Sequence, residues 1–250
     1  MNRKWARYPV AGVAALIPFA ALASDDLPPA PIPNIPASAQ SAQGFVPQGW
    51  KLEKLTSGDL NNDKIADIAL VIHSDDPKLI VGNAENDIGR DTFDSNPRSV
   101  IVALGEKGGR YRLIGANHVI IPRVDNGVID DPFEMQDLAI EKGVLTLSIR
   151  YWSSAGSWSM SNTAFTFRYR DGGLWLIGYD KDHIHRGSGE QTITSVNYLT
   201  GRTSLGVGSI EHDRVKTRWT RTAKKPLIRF DDMENGWEFD ATPGYVAAGE

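Results

Sequence analysis

Leu145, Leu147, Ile149 and Tyr151 alternate with polar residues, and Phe165, Phe167 and Tyr169 repeat the pattern further along the chain. A period of two puts one set of side chains on one face of a strand and their neighbours on the other. Such segments fold only where one sheet face is buried and the other is wet. Asp171-Gly172-Gly173 separates the second run from Leu174 to Tyr179 and reads as a hairpin turn. Further strands are expected at Ile68 to Ile72, Ser99 to Leu104, Tyr111 to Gly115, Val119 to Ile121 and, with one charged face, Arg214 to Arg221. No long stretch carries the 3.6-residue period of a helix. Pro132 to Asp137 is expected to make at most one short helical turn. The chain is therefore expected to be all-β: a single antiparallel β domain over residues 45–230, a sandwich or a partly open barrel. Gly108 to Gly115 echoes Gly172 to Gly178, which makes propeller-like hairpins the alternative. Two copies fall short of a full propeller, which needs at least about four blades of four strands.

The N-terminus has three parts. Arg3, Lys4 and Arg7 precede an apolar stretch from Val10 to Leu22, which ends in the small-x-small Ala21-Leu22-Ala23. That is the plan of a secretory signal peptide over residues 1–23, and it predicts a periplasmic or secreted protein. Its apolar core is short for a membrane span, and no second stretch is long enough. Removing those three basic residues, from 27 basic against 31 acidic, would leave a net charge of −7. No basic stripe then points to nucleic acid. The chain has no Cys, so disulfides cannot staple it outside the cytoplasm. Residues 24–44 hold Pro28, Pro29, Pro31, Pro33 and Pro36 and are expected to be an extended tether. Residues 231–250 are expected to be a C-terminal extension that frays over Tyr245 to Glu250.

Asp59, Asn61, Asp63 and Asp67 place oxygen-bearing side chains at the first, third, fifth and ninth positions of one short loop. Ile65 adds a backbone carbonyl at the seventh. Hard cations such as Ca²⁺ take six to eight oxygens at ~2.3–2.6 Å from donors of this kind. An EF-hand is excluded, because its required Gly and bidentate Glu are replaced by Lys64 and Leu70. The loop feeds the apolar run Ile68 to Ile72. Over residues 58–72 it resembles the calcium loops of FG-GAP and VCBS-type repeats, found in integrin α-chain propellers and exported bacterial proteins. That resemblance implies structural calcium with Asp59, Asn61, Asp63 and Asp67 as side-chain ligands. Lys64 stands where the family often has Gly.

Two other constellations carry candidate chemistry. Asp180, Asp182, His183 and His185 lie within six positions. In an extended segment the two His point to one side, and Asp180, Glu190 or His212 is a possible third ligand for a transition metal. Trp152 and Trp158 flank a loop of small polar residues and are candidate contacts for a protein or carbohydrate partner. The leading expectation is an exported, calcium-stabilised binding or structural module of the cell envelope. The alternative is a metal-dependent envelope hydrolase built on the Asp180–His185 cluster.

Overall fold

A computed structural model describes residues 27–83, 88–221 and 226–241. The signal peptide over 1–23 and the frayed end over 245–250 lie outside them. The described chain is all-β. Its strands are β1 (Ser38–Ala39), β2 (Trp50–Gly58), β3 (Asp67–Ser74), β4 (Ile80–Gly82), β5 (Thr92–Asp94), β6 (Arg98–Glu106) and β7 (Arg110–Asn117), then β8 (Leu138–Glu141), β9 (Val144–Tyr151), β10 (Ser159–Arg170), β11 (Gly173–His185), β12 (Glu190–Asn197), β13 (Arg202–Ser209) and β14 (His212–Arg221). Every pairing is antiparallel, and no barrel closes. One sheet runs β1-β7-β6-β3-β2, a larger one runs β14-β13-β12-β11-β10-β9-β8, and β4 pairs with β5.

The alternating runs behave as their period demands. Leu145, Leu147, Ile149, Phe165 and Phe167 are all buried between the two sheets. Asp171 and Gly172 take left-handed backbone at φ 52° and 75°, which turns β10 into β11. β11 continues through Asp180 to His185, past its apolar part, because β10 and β12 pair it on both sides. β3 and β6 are buried on both faces, which explains their unbroken apolar runs. The second cover is the N-terminal arm: Ile35, Ala39, Ala42, Phe45 and Val46 pack on Ile68, Leu70, Ile72 and Ile101.

The Pro-rich segment expected to be a tether is therefore, in its described part, a docked cover. Its β1 pairs with β7, the Ala37 carbonyl accepts from Leu113 N at 2.9 Å, and Pro28 O accepts from Arg123. The described part of the C-terminal extension also belongs to the domain. Phe230, Met233 and Ala241 are buried, with Trp237 and Phe239 packed beside them. One local expectation fails because a side chain competes for backbone N–H groups. Val119 to Ile121 is a turn, because Asn117 Oδ1 accepts from the N–H groups of Val119 and Ile120. Pro132 to Asp137 forms turns without a helix, with Asp131 Oδ1 capping Phe133 N.

Candidate functional site

The oxygen-rich loop joins β2 to β3 where the two sheets meet. A Cβ on Gly58 would lie 2.5 Å from Ile140 of β8, so only glycine lets β2 end there. Asp59 accepts from Asp63 N (3.2 Å) through one oxygen and from Lys64 N (2.9 Å) through the other. Asn61 Oδ1 accepts from Asp63 N at 3.0 Å, and Asp63 Oδ1 from Ile65 N at 2.7 Å. Asn61 Nδ2 donates to Asp63 Oδ2 at 2.9 Å. The first three predicted ligands thus turn their oxygens into one tight turn.

Asp67 sits beneath that turn, fully buried. Its Oδ2 accepts from Leu60 N at 2.7 Å and its Oδ1 from Gly105 N at 2.9 Å. A Cβ on Gly105 would lie 2.4 Å from Ala66 O, so glycine is what admits this approach. Burial raises the Asp67 carboxyl above its ordinary value, and the charges of Asp63 and Asp59 add to the rise. The two N–H bonds pull the other way without winning. Hard oxygen donors fit a hard cation in chemistry. Their placement is that of a self-capped turn: among the described residues, no group of three or more His, Cys, Asp or Glu is arranged to hold a metal ion.

Lys64 holds left-handed backbone at φ 68°, a region that favours Gly. A side chain in that region costs ~1–2 kcal/mol, less the entropy that glycine loses on folding. Lys64→Gly is therefore expected to raise stability by about 0.5–1 kcal/mol. Urea melts check this, and a variant no more stable than the parent removes strain as a feature of the loop.

The Asp180–His185 cluster does not assemble. Alternation along β11 sends Asp180 and Asp182 to one face and His183 and His185 to the other. Asp182 accepts two bonds from Gln191 Nε2 at 2.9 Å. His185 Nδ1 lies 2.9 Å from Ser188 Oγ, which also donates to Glu190 at 3.2 Å. Burial, with Lys181 and His185 nearby, lowers the His183 imidazole. Asp182 and His185 are thus taken up by neighbouring polar groups, and the four side chains do not converge on one ligand position.

One Ser–His pair does come together, unforeseen in sequence. Ser99 Oγ lies 2.8 Å from His118 Nδ1, and burial lowers that imidazole against the charge of Asp231. Ser99 is fully buried, so its hydroxyl is closed to a substrate. The pair ties β6 to the chain after β7.

Trp152 and Trp158 differ in role. The Arg186 guanidinium lies 4.9 Å from the Trp152 ring centroid, and its Nη2 donates to Ser153 O and Ser157 O. Arg186 thus braces the Trp loop from inside, a part that no local sequence signal announces. Trp158 is 65% exposed. It lies over Gly187, while Ile210 (59% exposed) lies beside Gly189 in the same turn. Val207 and Val215 continue the exposed apolar residues, bordering a shallow concavity of about 690 Å³ with His212, Arg214 and Lys216. One end of the larger sheet is thus apolar and basic together.

Comparisons with family models, curated proteins and solved structures give no significant match.

Proposed function

We propose that this chain is an exported, calcium-binding β module of the cell envelope, acting by contact from the periplasm or the cell exterior. The supporting observation is the inward-turned oxygen set of Asp59, Asn61 and Asp63, seated on buried Asp67. Calcium would be held by those four side chains and the Ile65 carbonyl. Bound there, it would neutralise the charges of Asp59 and Asp63, which help to raise the buried Asp67 carboxyl. Export is supported by the three-part N-terminus. No described helix is long and apolar enough to cross a membrane. Contact is supported by exposed Trp158, in a loop that Arg186 braces, and by exposed Ile210 and Val207.

Thermal melts in EDTA and in millimolar calcium test the reading. An ion that binds only the folded state adds about 2.7 kcal/mol when present at 100 times its dissociation constant. The parent should gain on that scale, and Asp63→Ala should lose most of the gain while melting like the parent in EDTA. Equal midpoints in both buffers would reduce the loop to a polar turn.

A further inference from the structure

β14 closes the larger sheet on one side. β13 pairs with its inner edge, and among the described residues no strand pairs with its outer edge. The N–H and C=O groups along that edge are open to another chain, the usual liability of an edge strand. Every residue from Arg214 to Trp219 whose burial is described is exposed, so β14 stands clear of the sandwich with both faces in water.

The two faces differ in chemistry. Lys216 pairs with Val207 and Arg218 with Leu205, which puts both cations on one face. Trp219 pairs with Ser204 on the other face, and a Cβ on Gly206 would lie 2.7 Å from Val215 there. Trp219 is 60% exposed. Residues 202 to 221 hold five basic and two acidic residues, a net charge of +3 in a chain of −4. Among the described residues, Arg214, Lys216, Arg218 and Arg221 make no ion pair. Arg202 pairs with Arg221 on the Trp219 face, where its guanidinium lies 4.7 Å from the Trp219 ring centroid.

We infer that the outer edge of β14 accepts an extended acidic segment of a partner protein as an added strand. The inference rests on the contact-module reading and names the partner's chemistry. Carboxylates at alternate positions would meet Lys216 and Arg218, and the intervening apolar side chains would lie beside Val215 and Trp219. Main-chain bonds supply affinity in such strand addition, and alternate side chains supply specificity. A flat anionic surface would reach the cations and leave the edge and the Trp219 face unused. A second copy of β14 would set cation against cation, so the charges that block self-pairing also select an acidic strand.

The probe is a fluorescent peptide of alternating Glu and Val, as long as β14. Its binding to the processed full chain is followed by anisotropy. Binding should weaken about tenfold with Lys216→Glu/Arg218→Glu, and a Lys-Val peptide should then bind that variant better than the parent. Methylating alternate peptide nitrogens, tried in both registers, should abolish binding in the register that faces the edge. The substituted residues are exposed, and far-ultraviolet dichroism checks that the variant is folded. Binding that survives both methylation registers would replace strand addition with simple charge attraction. Equal or tighter charge-reversible binding to anionic phospholipid vesicles would replace the protein partner with a membrane. No peptide binding would leave the cations as edge protection only. Each of these results overturns the inference while calcium-dependent melting still stands. Peptide binding without a calcium effect would instead sink the calcium reading.

Discussion

Arg98→Ala is expected to destabilise this protein by about 3 kcal/mol or more, because it removes one partner of a largely buried ionic network. The Arg98 side chain is 6% exposed at the start of β6. Its Nε and Nη2 bind the two Glu53 oxygens at 2.7 and 2.8 Å, and Nη2 also binds Asp131 at 2.7 Å. Phe133 lies beneath the guanidinium, and His73 sits opposite on β3. Without Arg98, two carboxylates would share a half-buried site with no cation. For a domain of this size, 3 kcal/mol corresponds to a fall of roughly 6–12 °C in Tm. Arg98→Lys should fall in between, since it keeps the charge and loses the two-pronged fit.

The pH dependence of that network has a definite sign. Burial pushes Asp131 up, but Arg98 outweighs it and holds the carboxyl below its ordinary 3.8. Its stabilising share is therefore present above 3.8 and lost as pH falls through the lowered folded value. Burial and Arg98 lower His73 below its ordinary 6.5. The unfolded chain then takes that proton first, so stability also declines as pH falls from 6.5 toward the folded value. In Arg98→Ala both acid losses should shrink. Melts from neutral to acid pH measure this. An Arg98→Ala variant that melts within 2 °C of the parent would remove the network as a determinant of stability.

Asp67→Ala is expected to cost about 2–6 kcal/mol, from two buried N–H groups left without acceptors at ~1–3 kcal/mol each. Those groups belong to Leu60 and Gly105 and are buried with the carboxylate they serve. One opposing effect is built in. The folded Asp67 carboxyl is raised, so the folded state takes the proton first as pH falls toward 3.8, and this residue's share of stability grows on acidification. Asp67→Asn removes that dependence and keeps one acceptor, so at neutral pH it should be the milder substitution. Urea melts of both variants at neutral and acid pH separate the effects. An Asp67→Ala chain as stable as the parent would show that neither N–H group needs this acceptor.

The loop illustrates how much was legible. Oxygen donors at alternate positions, ready to cap nearby backbone, could be read from spacing, because such bonds span only two to five residues. What lay beneath could not. Asp67 takes its second donor from Gly105, 38 residues away, and that bond decides that both of its oxygens face backbone. The Asp180–His185 cluster shows the converse. Four ligand types sat close in sequence, but a strand of alternating faces separates the acids from the imidazoles. Composition gives the Pro-rich arm the backbone preference of a tether and says nothing about the apolar face waiting at β3 and β6.

Sequence alone determined the β class, the hairpin at Asp171-Gly172 and the inward-facing residues of β9 and β10. Those depend on backbone preference and a period of two, which act locally. The tertiary structure alone decided that Arg98 meets Glu53 and Asp131, which are 45 and 33 residues away. It also decided that the arm covers the smaller sheet and that β14 keeps a basic, open edge. Each of these depends on register and order among strands distant in sequence. Burial of the whole core selects that arrangement, and no short window of residues carries it.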